Sequence, residues 1–242
     1  MRPIPILTYH QIALAPARGA PMRSLYVSPS AFALQMQSLS LLGYQGLSIT
    51  ALMPYLRGEK TGKVVGITFD DGYLNNLENA AAFLKKFNFS STCYVVSELL
   101  GKTNAWDQDL GIAPTPLMNI GQLRQWIASG QEVGSHTQHH VDLTTTDFQA
   151  SQSEILNSSI SLSQELNTDI QQFCYPYGRY ASEHVDIVKS SGYIAATTTA
   201  RGKVHADDSA FELRRIPVVR STSLPQFLFK IMSSYEDRYR VE

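Results

Sequence analysis

Residues 63–69, Lys-Val-Val-Gly-Ile-Thr-Phe, form an almost unbroken apolar run that ends abruptly in Asp70-Asp71-Gly72. A strand with one wet face alternates polar and apolar residues, so a run without that alternation predicts a strand covered on both faces. The theme recurs. Residues 4–9, 92–96, 130–135, 170–175 and 193–198 read the same way, and residues 215–219 make a short last strand before a final helix.

Helix signals lie between these runs. Ser28 is an N-cap candidate followed by Pro29 at the first helical position, and Phe32, Met36, Leu39 and Leu42 make one apolar stripe that Gly43 ends. Leu74, Leu77, Ala81 and Leu84 follow the Asp-Asp-Gly turn at helical spacing. Residues 147–166 predict a long helix with Phe148, Ile155, Leu162 and Leu166 inward, and Ser182 is placed to cap a helix ending at Gly192.

About seven doubly covered strands alternating with helices predict one α/β domain over residues 1–242, a parallel sheet with helices outside it. The sheet is either open or closed as a barrel. Closure is favoured because His10, Asp70, Asp71, His136 and Tyr177 fall at or just past the C-terminal ends of strands, the edge where parallel barrels hold their sites.

Charge narrows the partners. Twenty Lys and Arg against 21 Asp and Glu leave a net charge of −1 with no block of like charges, which excludes the footprint of a nucleic-acid binder. No apolar run approaches the roughly 18 residues of a membrane span. The opening Met1-Arg2-Pro3-Ile4-Pro5 enters a strand and not a secretory segment, so the expectation is cytoplasmic, or exported if a signal has been removed. Cys93 and Cys174 lie in strand-like runs and read as free core thiols.

Two clusters carry chemistry. Adjacent carboxylates in a turn diverge, so one of Asp70 and Asp71 can bind a cation while the other takes a proton from water; the alternative is a strand-ending turn in which they only cap. His136-Thr137-Gln138-His139-His140 holds three of the six histidines, and a pair four apart can converge on one metal that a carboxylate completes. His139 between them points elsewhere. Tyr175-Pro176-Tyr177-Gly178 ends a strand in an aromatic turn whose N–H groups can hold an oxyanion and whose rings can meet a sugar. Residues 101–117 form a long connection with two prolines and Trp106, a candidate substrate-binding loop.

Together these motifs resemble the polysaccharide deacetylases, the family-4 carbohydrate esterases with a NodB-homology domain. The resemblance spans roughly residues 4–220 and implies a distorted (β/α)7 TIM-like barrel. It implies Asp70 as general base and Asp71, His136 and His140 as ligands of a divalent metal, zinc first, with cobalt, nickel or iron possible. It places Tyr175, Pro176 and Tyr177 on the groove wall with the Tyr177 N–H in the oxyanion hole; Trp106 is a further stacking candidate. The implied substrate is an N-acetylated amino-sugar oligo- or polysaccharide.

The chain departs from the family pattern twice. Cys174 stands where the third motif opens with an arginine, and Arg215 is the expected replacement beside Asp70. The late Leu-x-His motif is missing, and Leu7-Thr8-Tyr9-His10 resembles the permuted arrangement of poly-N-acetylglucosamine deacetylases, with His10 as catalytic acid. Three other readings use the same residues: an amidohydrolase for a small non-sugar amide, a non-catalytic carbohydrate-binding protein, and an iron and 2-oxoglutarate oxygenase built on His140, Asp142, His205 and Arg214 or Arg215. Oligomeric state is left open.

Overall fold

Seven parallel strands close into a ring in the computed structural model, which describes residues 2–240. In chain order the strands are β1 (Ile6–Tyr9), β2 (Gln11–Ile12), β3 (Tyr26–Val27), β4 (Gln45–Leu47), β5 (Val64–Phe69), β6 (Thr92–Val95), β7 (Glu132–Ser135), β8 (Gln172–Cys174), β9 (Ala195–Arg201) and β10 (Leu213–Pro217). The barrel order is β1-β10-β9-β8-β7-β6-β5, and β5 returns to β1 to close it. The closing pairs run Ile6↔Gly66, Leu7↔Ile67, Thr8↔Thr68 and Tyr9↔Phe69. All six β5 residues are buried, as their unbroken apolar character requires. The small β2 and β3 pair with each other as a separate parallel ribbon.

Two irregularities distort the ring. Gly66 pairs with Ile6 of β1 and with Leu47 of β4, so β4 lies on the β5 edge that β6 uses further along, at Thr68 and Phe69. Between β9 and β10 the register slips: Leu213 faces Thr197, yet Arg215 faces Arg201. That slip bends the sheet beside Arg215.

The helices are α1 (Pro29–Leu41), α2 (Ile49–Leu56), α3 (Leu74–Asn79), α4 (Ala81–Lys86), α5 (Ile120–Ala128), α6 (Phe148–Leu166), α7 (Ser182–Ser190) and α8 (Leu224–Met232). Ser28 caps α1 as expected, its side chain accepting from the Ala31 N–H. Elements β4, α2 and α5 were not among those expected, and each absence has a reason. The first is three residues around a glycine, the second contains Pro54, and the third announces itself only through the Asn119 and Gln122 capping box.

Three expected details are corrected. Phe148 opens α6 and stays 54% exposed, because the buried stripe begins a turn later at Ser151. Ser182 is the first helical residue of α7 and not its cap; Ala181 holds the cap position and donates to the His184 imidazole at 2.8 Å. The expected helix after the Asp-Asp-Gly turn divides at Ala80 into α3 and α4.

Phe32, Phe69, Trp126 and Phe173 belong to the main core, and a second cluster closes the bottom of the barrel. That plug uses the opening residues Ile6, Val64, Ala195 and Leu213 of four strands, with Ile49 and Leu52 of α2 beneath. Chemistry is thereby confined to the opposite, C-terminal rim. Space inside the wall is tight at Gly134, where an added Cβ would sit 2.6 Å from the Tyr94 ring. Gly134→Ala should therefore destabilise by about 1–3 kcal/mol in urea unfolding.

Candidate active site

The rim collects the residues the sequence singled out. Asp70 and Asp71 leave β5, His10 follows β1, His136 follows β7 and Arg215 belongs to β10. The Asp-Asp-Gly turn is pinned from two sides: the Asp70 N–H donates to the Tyr9 carbonyl at 2.9 Å, and the Met118 N–H to the Gly72 carbonyl at 2.9 Å. Asp71 takes the left-handed conformation, φ 73°, which turns its carboxylate away from that of Asp70.

Arg215 is the replacement that the missing arginine called for. Its Nη1 donates to Asp70 Oδ1 at 2.7 Å and its Nη2 to Asp70 Oδ2 at 2.8 Å, a two-pronged pair. The remaining donors are also used, Nε on the Thr198 carbonyl at 2.7 Å, Nη1 on Thr68 Oγ1 at 3.1 Å and Nη2 on Cys174 Sγ at 3.3 Å. Burial alone would raise the Asp70 pKa; Arg215, then His10, hold it below the usual carboxylate range instead. His10 Nε2 lies 3.9 Å from Asp70 Oδ2, and its ring is partly open to solvent.

A second group forms around Asp71. Asp71 Oδ1 lies 3.6 Å from His136 Nε2 and 3.4 Å from His140 Nε2, all three residues being buried. His136 Nδ1 donates to the Cys174 carbonyl at 2.7 Å, which orients the ring so that Nε2 faces Asp71. The loop between the histidines is braced: Thr137 Oγ1 accepts from the His140 N–H at 3.0 Å, and Glu154 of α6 accepts from the Gln138 and His139 N–H groups. His139 Nδ1 pairs with Glu154 at 2.7 Å on the outside, so it turns away from the centre as expected.

This donor set fits a divalent cation. Burial raises the Asp71 carboxyl, but His140, His10 and His136 outweigh it and keep Asp71 ionised; burial lowers His140, keeping it neutral. Burial likewise disfavours charged His136, yet the Cys174 group, Asp70 and Asp71 raise its pKa to about 9 without a cation. Asp70, His136 and Cys174 also lie close together, but Asp70 has both oxygens on Arg215, which disfavours a second cation there.

Aromatic rings surround His140. Trp106, on the long loop, stacks at 4.4 Å and 26°, and Tyr177 meets the imidazole edge-on at 4.6 Å and 73°. Tyr177 is 42% exposed, with φ 59°, and its N–H donates to no other group among the described residues. Tyr175 and Pro176 are corrected: both are buried, and Tyr175 stacks on Tyr180 while its hydroxyl donates to the Phe211 carbonyl at 3.1 Å. Those contacts hold the Tyr175 ring in the core, so Tyr177 is the ring of this turn that can face a ligand.

Sequence reasoning missed Asp107, beside Trp106. It is buried and accepts from Asn104 Nδ2 at 3.1 Å; burial raises its pKa against that amide, and Asp71 adds to the rise. An acidic residue next to the loop tryptophan was the available signal. The oxygenase grouping is not assembled: Asp142 pairs with Arg179 at 2.6 Å, and His205 lies 3.4 Å from Asp237. Cys93 and Cys174 are free and buried.

Residues 57–196 match the family model described as polysaccharide deacetylase. YxkH of Bacillus subtilis (strain 168), which bears a polysaccharide deacetylase name, is 28% identical over 217 residues, 89% of this chain and 71% of its own length. Among solved structures, the Streptococcus pyogenes deacetylase PplD in complex with acetate superposes with a TM-score of 0.84 at 27% identity, over 96% of this chain and 99% of PplD. IcaB from Ammonifex degensii gives 0.77 at 25% identity, over 96% and 97%.

Two outcomes follow from this geometry. Arg215→Met strands a buried carboxylate and should cost about 3–5 kcal/mol in urea melts near pH 7. Because the folded Asp70 titrates below its unfolded value of ~3.9, the pair contributes fully above that value, and the penalty should shrink as acid protonates the carboxylate. Any cation seated between these residues must displace the proton that Asp70 and Asp71 favour on His136 below about pH 9. Zinc affinity, read by competition with a chelating dye, should therefore fall by up to about tenfold per unit of acidification.

Proposed function

The chain belongs to the polysaccharide deacetylase family, and we propose that it hydrolyses the N-acetyl amide of N-acetylglucosamine units in an oligo- or polysaccharide, with zinc as its metal. The observation that carries this reading is the pairing of two centres on one rim: a carboxylate gripped by Arg215, and beside it the Asp71, His136 and His140 donor set. Two imidazoles and one carboxylate suit zinc, with cobalt, nickel and iron as alternatives.

The cation held by those three residues supplies Lewis acidity, which lowers the pKa of water and polarises a carbonyl. Asp70 accepts the proton of the attacking water. Arg215 keeps that carboxylate ionised and fixes its plane, since both oxygens are bound while each retains a lone pair for the incoming proton. The Tyr177 N–H donates to the oxyanion that develops on the acetyl carbonyl, and its ring with Trp106 flanks the sugar. His10, 3.9 Å from Asp70 and reached by solvent, gives its proton to the leaving amine. Acetate and a free amino sugar result. The binding-protein alternative drew on the missing arginine of the third motif, and the Arg215 contact removes that support.

The test is acetate release from chitooligosaccharides and poly-N-acetylglucosamine fragments by chelator-stripped protein, before and after zinc, cobalt or nickel is returned. Metal-restored release is expected; a folded, metal-loaded protein that releases none would overturn the reading. Asp70→Asn should bind zinc like the parent and lose about 10²–10⁴ of its turnover, whereas His136→Ala should lose both. His10→Ala turning over near the parent rate would remove His10 as the acid.

A further inference from the structure

Tyr177 sits at φ 59° and ψ 0°, a left-handed conformation that an aromatic residue adopts only where its surroundings hold it there. Three contacts do so. The Gly178 N–H donates to the Tyr175 carbonyl at 2.9 Å, and the Arg179 N–H to the Pro176 carbonyl at 3.1 Å. Thr199 Oγ1 donates to the Tyr177 carbonyl at 3.3 Å, and an added Cβ at Gly178 would collide with that hydroxyl. The Arg179 contact decides where the Tyr177 amide points. The Pro176 carbonyl and the Tyr177 N–H belong to one trans peptide, so they point in opposite directions. With the carbonyl held inside the turn by Arg179, the N–H is directed out of it and donates to no group among the described residues.

The Arg179 side chain then reaches across to the histidine segment. Its Nη1 donates to Asp142 Oδ2 at 2.6 Å, and its Cζ lies 5.7 Å from the centre of the Tyr177 ring. Asp142 stands two residues past His140, and its other oxygen accepts from the Thr144 N–H at 3.1 Å and the Thr144 hydroxyl at 2.6 Å. One carboxylate thus ties its own turn to the turn that carries Tyr177. The Arg179 side chain is 65% exposed, and an ion pair open to solvent on one side contributes little to global stability. Its effect is local placement.

We propose that Arg179 is a positioning residue: by clasping Asp142 it fixes the Tyr177 N–H relative to the Asp71, His136 and His140 group. The N–H and that group serve one acetyl oxygen, and donors aimed in advance lower a barrier more than donors that must be gathered during the reaction. The consequence for turnover rests on the deacetylase reading; the placement rests on the contacts above.

Amide ¹⁵N relaxation and acetate release, both on the zinc-loaded full chain, test it. In Arg179→Met the Tyr177 and Gly178 amides should lose order while those of β8 keep theirs. With chitooligosaccharides kcat should fall about three- to tenfold at an unchanged KM, because a loosened donor weakens the transition state and not the ground state. Zinc affinity should match the parent. Arg179→Lys, which keeps a cation within reach of Asp142, should recover most of both losses, and Asp142→Asn should reproduce them. Joining Asp142→Asn to Arg179→Met should add little to either alone. A parent that releases no acetate would end the deacetylase reading and leave the relaxation comparison to decide the placement. The proposal is overturned if Arg179→Met keeps the parent's order at Tyr177, or if an active parent's kcat survives the loss of that order.

Discussion

Everything on the rim depends on the ring being closed between β1 and β5. That pairing sets Tyr9 beside Phe69, so the next residues, His10 and Asp70, emerge side by side. Closure also seats β10 against β1, which delivers Arg215 across the interior to Asp70. An open sheet with the same strands would leave β5 and β10 separated by the missing β1 contact, and the buried arginine would have no counter-ion. The barrel is therefore as much an electrostatic requirement as a packing one: a guanidinium and a carboxylate leave water together because each satisfies the other's charge.

The two carboxylates of one turn end in opposite circumstances. Asp70 spends both oxygens on a permanent cation, and Asp71 turns through a left-handed backbone toward two imidazoles. Adjacent in sequence, they are kept apart in function by a rotation of the chain at a single residue. The register slip between β9 and β10 plays a matching part on the far wall, since it bends the sheet at Arg215, whose Nε rests on the Thr198 carbonyl.

Much of this was legible in the residues. Unbroken apolar runs announced the doubly covered strands, and the Asp-Asp-Gly and His-x-x-x-His elements announced the centre. Arg215 was reachable because a missing charge beside Asp70 had to be supplied from somewhere. What stayed hidden depends on tertiary context. Three-residue β4 is stabilised by the β5 edge it borrows, and α2 tolerates Pro54 because its apolar face is buried under the barrel. Tyr175 and Tyr177 are two residues apart and look alike on paper; the turn over Pro176–Gly178, with Tyr177 at φ 59°, leaves one ring in the core and the other at the rim. Asp107 gave no periodic signal at all, being placed by a long loop whose tryptophan rests on His140.

The pairing of residues 70 and 215 also has a meaning in time. A ribosome releases Asp70, Asp71 and both histidines well before β10, so a growing chain holds its donor residues without the guanidinium that sets the reactive carboxylate. The contact joins residues 145 apart in the chain, and contacts of such separation form late. A product that stops short of residue 215 would carry the motifs and lack the charge balance that lets them leave water. Completeness of synthesis is thus written into the centre itself.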